Sequence, residues 1–118
     1  MTSIPMPSRG EVWWIDFDPS VPPEQRKVRP AVVMNDDDVG RLNLRIVVPI
    51  TEWRPAYAPY RWFVHLDPTP ENGLSKESGA DAFQVKSLSL NRVRDRLGIL
   101  TAAETEEIAA TIANCVGN

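Results

Sequence analysis

Phosphate chemistry is the first thing this chain suggests. In the polar, proline-studded stretch Pro19-Ser20-Val21-Pro22-Pro23-Glu24-Gln25-Arg26-Lys27-Val28-Arg29-Pro30, one carboxylate (Glu24) and three cations (Arg26, Lys27, Arg29) fall within six residues. A guanidinium keeps its charge at any working pH and grips two phosphate oxygens at once, which suits an anionic, phosphate-bearing ligand. Proline at position 30 biases Arg29 towards an extended backbone. A carboxylate among cations is held ionised, so Glu24 suits a base or a hydrogen-bond anchor better than an acid. Each residue also has a plain use: an arginine opening a strand can serve a surface ion pair, and a loop glutamate can simply be solvated. Thr51 closes the apolar run Ile46-Val47-Val48-Pro49-Ile50, where its hydroxyl could cap a turn or donate to a phosphate oxygen as charge develops.

These residues need a rigid frame. The loop is pinned between Val12-Trp13-Trp14-Ile15-Asp16-Phe17 and Ala31-Val32-Val33-Met34, both rich in residues that favour a pleated, buried surface. Further strands are predicted at about 45–50, 61–66, 82–88 and 96–100, with the eleven prolines falling in the connectors. Short strands of this kind point to a small antiparallel barrel. The one helix is predicted at the end: Thr101 followed by Glu104 makes a capping box, Ile108, Ile112, Cys115 and Val116 recur at helical spacing, and Gly117 can stop it. A shorter helical turn is predicted around 89–94. At 118 residues the chain reads as a single domain, 1–118, with residues 1–8 as a flexible N-terminus.

Composition narrows the function classes. A net charge of −3 argues against a protein that coats nucleic acid non-specifically. It leaves room for a local basic cleft, because Arg26, Lys27, Arg29, Arg41, Arg45, Arg54 and Arg61 lie in the first half and Glu104, Glu106 and Glu107 near the end. A single cysteine, Cys115, provides no disulfide framework, and no His, Cys and carboxylate residues sit at metal-ligand spacing. With no secretory leader and no run long enough to cross a membrane, a cytoplasmic protein without membrane partners is expected, and no cofactor.

The blocks Arg9-Gly10-Glu11-Val12-Trp13-Trp14-Ile15-Asp16-Phe17-Asp18-Pro19, Glu24-Gln25, Arg29-Pro30-Ala31-Val32-Val33, Val48-Pro49-Ile50-Thr51 and Gln84-Val85-Lys86-Ser87-Leu88 occur in the order and spacing of the MazF/PemK family. The chain resembles these toxin ribonucleases of bacterial toxin–antitoxin pairs from about Arg9 to its C-terminus. The resemblance implies an SH3-like barrel with a C-terminal helix, a homodimer, and a metal-independent endoribonuclease that cuts single-stranded RNA. Arg29 and Thr51 would be catalytic and Glu24 the candidate base. Gln25, Arg26, Lys27, Trp53 and Arg54 would contact the RNA, with Trp53 the tryptophan best placed for base stacking. The expected protein partner is an antitoxin with an acidic, disordered tail.

Some features depart from that pattern. Pro22-Pro23 stands where some relatives have a glycine ahead of the Glu-Gln pair, which predicts a stiffer loop. Phe83 stands where some relatives carry a catalytic aspartate. The nearest aspartate is Asp81, which strand alternation would put on the face of Phe83; a two-residue offset moves a side chain roughly 6 to 7 Å along a strand, too far to take over proton transfer. His65, the sole histidine, lies outside these blocks and reads as a surface residue. Two rival readings are a gyrase-poisoning toxin and a protein-binding module on the same barrel. Gyrase poisons of this kind use C-terminal residues with tryptophan prominent, whereas this chain ends Ala113-Asn114-Cys115-Val116-Gly117-Asn118.

Overall fold

The computed structural model describes residues 6–18, 27–41 and 43–118. They form strands β1 (Glu11–Asp16), β2 (Val28–Val33), β3 (Leu44–Glu52), β4 (Phe63–Leu66), β5 (Ser78–Asp81), β6 (Lys86–Ser89) and β7 (Val93–Ile99), followed by helix α1 (Ala102–Cys115). Every pairing is antiparallel: the path runs β4-β5-β3-β2-β1-β7, with β6 also on β3.

The apolar runs read from the sequence are continuous because the central strands are buried on both faces. Val12, Val32, Val48 and Ile50 join Val64, Leu66 and Ala80 in the core beneath Leu100 and Ile108, while Ile15, Ala31, Val33 and Val47 join Phe17, Leu88 and Val93 in a second core. The capping box of α1 is complete: the Thr101 hydroxyl accepts from the Glu104 N–H at 3.1 Å, and the Glu104 carboxylate accepts from the Thr101 N–H at 2.9 Å. The inward face of α1 is Thr105, Ile108 and Thr111. Both threonine hydroxyls donate to the carbonyl four residues back, which satisfies them when buried. Ile112 is partly buried against the core, but Val116 lies past the helix end and is exposed.

The predicted strand at 82–88 is instead a turn followed by β6, with β5 ending just before it. Residues 82–84 form a 3₁₀ turn between β5 and β6, and β5 and β6 pair with the C-terminal and N-terminal parts of the long β3 in registers offset by this turn. This bend coils the sheet, yet among the described residues it does not close into the expected barrel, since no pairing joins β4 to β7. The gap is spanned by the connector between β4 and β5: the Ile99 N–H donates to the Glu71 carbonyl at 2.8 Å. A side chain at Gly98 would meet that carbonyl at 2.1 Å, so only glycine admits the connector this closely.

The bend also separates Asp81 from Phe83. Asp81 ends β5 and is buried, while Phe83 sits in the turn and is 68 % exposed, so the expected shared face does not exist. At the N-terminus, Pro7 is buried and its carbonyl accepts from Arg45 Nε at 2.8 Å, and the Ser8 N–H donates to Glu11 at 2.7 Å. The anchored chain therefore begins within the stretch read as flexible.

Candidate active site

The basic loop leaves and rejoins the sheet through a narrow neck. The Phe17 N–H donates to the Lys27 carbonyl at 2.9 Å, and the Lys27 N–H donates to Asp18 Oδ1 at 2.9 Å. Asp16 caps the Asp18 N–H with one oxygen and receives Arg94 Nη2 at 3.1 Å on the other. Lys27 takes φ +65°, a left-handed conformation uncommon outside glycine and found at sites the surrounding structure fixes. Val28 then opens β2, one residue before Arg29. Arg29 thus belongs to a strand, opposite Ile15, and is set by the sheet as well as by the loop.

Arg29 and Thr51 come together. β2 and β3 pair Ala31 with Pro49, and continuing that register by two residues brings Arg29 level with Thr51. Both line a cavity of about 650 Å³ with Trp14, Val28, Pro30, Ile50, Glu52, Arg54, Tyr57, Gly73, Leu74, Ser75, Lys76, Ser78 and Leu97. Among the described residues its charged lining is three cations, Arg29, Arg54 and Lys76, against one carboxylate, Glu52, which pairs with Lys76 at 3.4 Å. A cavity with arginine and hydroxyl donors, a positive balance and an apolar wall can hold a phosphate and polarise it.

The far wall, Gly73 to Lys76, starts from the side chain of Asn72. Asn72 is fully buried; its Oδ1 accepts from the N–H groups of Thr69 (3.0 Å) and Leu74 (2.9 Å), and its Nδ2 donates to the Asp67 carbonyl (2.9 Å). From the sequence, the Gly73 to Gly79 segment is expected to shape base selection, but none of its residues is singled out as a site residue. Sequence reading also missed Trp14, Tyr57 and Leu97. The signal for Trp14 lay in the hairpin register, which sets it opposite Pro30, the neighbour of Arg29.

The other predicted site residues divide. Arg54 lines the cavity. Glu24, Gln25 and Arg26 lie outside the described residues. Lys27 holds the neck but is not part of the cavity lining. Trp53 points elsewhere: its ring packs edge-on to Tyr57, Phe63 and His65, with centroids 5.9, 6.3 and 4.7 Å away, and covers Gly79, where a Cβ would lie 3.0 Å from the indole. Trp53 therefore anchors an aromatic cluster on the back of β5. His65 is exposed beside that cluster, its Nε2 at 2.6 Å from Glu77 and 3.8 Å from Asp67. These three groups bring their ligand-capable atoms within 4.8 Å of one another, a proximity invisible in sequence spacing. Asp81 is outside the cavity lining. Burial raises its carboxyl above the ordinary range, opposed by hydrogen bonds from the Gln84 side chain and from backbone groups of Phe83 and Gln84. No helix among the described residues is long and apolar enough to cross a membrane.

An open, coiled antiparallel sheet with one C-terminal helix is also the fold of MazF from Deinococcus radiodurans, which superposes with a TM-score of 0.79 at 24 % identity, covering 97 % of this chain and 99 % of that one. A mycobacterial endoribonuclease solved in complex with its cognate antitoxin shares the fold at a TM-score of 0.70 and 19 % identity, over 94 % and 95 % of the two chains. In sequence, the chain is similar to endoribonuclease MazF9 of Mycobacterium tuberculosis, 30 % identical over 109 residues, which is 87 % of this chain and 90 % of that protein. Residues 8–116 match the profile described as PemK-like, MazF-like toxin of type II toxin–antitoxin systems, and the chain belongs to that family.

Proposed function

We propose that this toxin is an endoribonuclease that cleaves single-stranded RNA, in a sequence-dependent manner, at the Arg29/Thr51 cavity. The observation that carries the reading is the convergence of those two residues, from neighbouring strands, on one cavity with more cations than carboxylates. Family membership and the endoribonuclease relative support it. In the proposed reaction the ribose 2'-oxygen attacks the adjacent phosphorus and the bond from phosphorus to the 5'-oxygen breaks. The products are a 2',3'-cyclic phosphate and a 5'-hydroxyl end. Arg29 stabilises the doubly charged phosphorane, Thr51 donates to a non-bridging oxygen, Glu24 takes the 2'-hydroxyl proton, and the departing 5'-oxygen takes a proton from water. Every step is written without a metal, and DNA, which lacks the nucleophile, is not a substrate.

Gln25, Arg26, Lys27 and Arg54 are proposed RNA contacts, and Arg54 has the support of lining the cavity. The protein acts in the cytoplasm as a homodimer, and its regulator is an antitoxin whose acidic tail folds into the basic cleft and displaces RNA. A solved neighbour in complex with its cognate antitoxin supports that partner class. The direct test is incubation of the pure protein with a long RNA in EDTA. Cleavage to cyclic-phosphate ends, lost in Arg29→Ala and not restored in Arg29→Lys, is expected. An intact RNA, or full activity in Arg29→Ala, overturns the reading and returns weight to a non-enzymatic toxin.

A further inference from the structure

We infer that Trp14 is the platform on which a nucleobase of the bound RNA stacks, next to the phosphate held at Arg29. This rests on the proposed ribonuclease reading and adds to it the residue that grips a base. Four features of the structure carry it.

First, Trp14 continues a core row that runs out of cover. Register places Trp14 opposite Pro30, two residues along from the Val12–Val32 pair on the same face. Val12, Val32 and Val48 are shut beneath Leu100 and Ile108. Beyond them Trp14 and Pro30 line the cavity, beside the buried Ile50. Second, the indole is 38 % exposed, whereas Val12 and Ile15 on the same strand are fully buried. Third, among the described residues no other ring packs against it, although Trp53 and Trp62 both have ring partners. A large flat apolar face bordering a positively charged cavity is an unused stacking surface.

Fourth, the backbone is bent at this place. The β1–β7 register shifts between Val12 and Trp13 and again between Trp13 and Ile15, and Leu97 is skipped between the Val12–Gly98 and Trp13–Arg96 pairs. Such bulges kink and twist a strand and re-aim its side chains beside functional sites. Here Trp14 and Leu97, in that irregular stretch, both face the cavity. The cavity therefore combines an apolar wall for a base with Arg29, Arg54 and Thr51 for a phosphate, the two halves of a nucleotide. Trp53, the sequence-based choice, has its ring occupied by the cluster over Gly79.

The test pairs kinetics with fluorescence, using Trp14→Phe, Trp14→Leu and Trp14→Ala. Stacking of one base on one ring predicts that kcat/KM falls about 5- to 100-fold in Trp14→Leu and Trp14→Ala, mostly through KM, while Trp14→Phe stays within a few fold because it keeps a π face. A non-cleavable RNA with a 2'-deoxy substitution at the scissile position should quench the parent's tryptophan emission more than that of Trp14→Phe. Size-exclusion elution and melting temperature of the variants should match the parent. Trp14→Leu with parental kcat/KM, or with lost activity explained by altered oligomeric state, overturns the inference and leaves the Arg29 chemistry standing. A parent that cuts no RNA defeats the ribonuclease reading instead, and the quenching titration still decides whether Trp14 meets a base.

Discussion

Replacing Asn72 by alanine tests whether one buried amide holds the cavity wall. The side chain is fully buried and makes three hydrogen bonds of 2.9 to 3.0 Å, to backbone groups of Asp67, Thr69 and Leu74. At about 1 kcal/mol net for each such bond, the loss amounts to about 3 kcal/mol. In a domain of this size 1 kcal/mol shifts the melting temperature by about 4 °C, so Asn72→Ala should melt about 12 °C lower. Circular dichroism melts measure that directly. Because this amide fixes the start of the Gly73 to Lys76 wall through the Leu74 N–H, cleavage assayed well below the melting point should also fall, mainly by raising KM. A loss of less than about 1 kcal/mol would refute the argument, since it would mean that the connector is held by its contacts with β7 and not by Asn72.

Thr51→Ala should slow cleavage about tenfold to a thousandfold, the effect of one removed donor at a developing charge, as read by initial rates on a defined RNA. Asp81→Asn should cut RNA within a few fold of the parent while Glu24→Gln is severely impaired; reversed results would move the proposed base to the 79–84 segment. Burial raises the Asp81 carboxyl, so the folded protein keeps this proton to higher pH than the unfolded chain does. The stability linked to it is full below the ordinary carboxyl range and is lost as pH rises through the folded value. Denaturant melts should therefore show Asp81→Asn gaining on the parent as the pH rises from below the ordinary carboxyl range through the raised folded value. Thr101→Ala should cost about 1 kcal/mol by removing half of the capping box, with little change in cleavage rate.

The elements most legible in the sequence were those whose local chemistry agrees with their surroundings. β1 runs over Glu11–Asp16 as predicted because its β-branched and aromatic residues meet a sheet on both edges, and α1 starts where Thr101 and Glu104 cap each other. β5 was not legible. Ser78-Gly79-Ala80-Asp81 contains no strong strand former, yet all four residues are buried. They are extended because β3 and β4 flank them and because the Trp53 and Phe63 rings leave room only for a glycine at 79. Tertiary packing overrides propensity there. Arg29 and Thr51 could be chosen by residue type and motif, but their meeting depends on the β2–β3 register. Choosing between Trp14 and Trp53 requires knowing which face of the sheet is covered, and that is set by the docking of α1 and by the assembly of Trp53 with Tyr57, Phe63 and His65 in the fold.

The neck at Phe17, Asp18 and Lys27 has an evolutionary reading. It draws the two ends of the basic loop together before the chain enters β2, where Arg29 takes its place in the sheet opposite Ile15. Lengthening a closed loop costs only a slowly growing, logarithmic entropy. Substitutions and insertions between positions 18 and 27 that spare Glu24 should therefore leave the sheet and the pairing of β2 with β3 undisturbed. Recognition can then vary from one toxin to the next on an unchanging catalytic frame, much as interchangeable tips fit one handle.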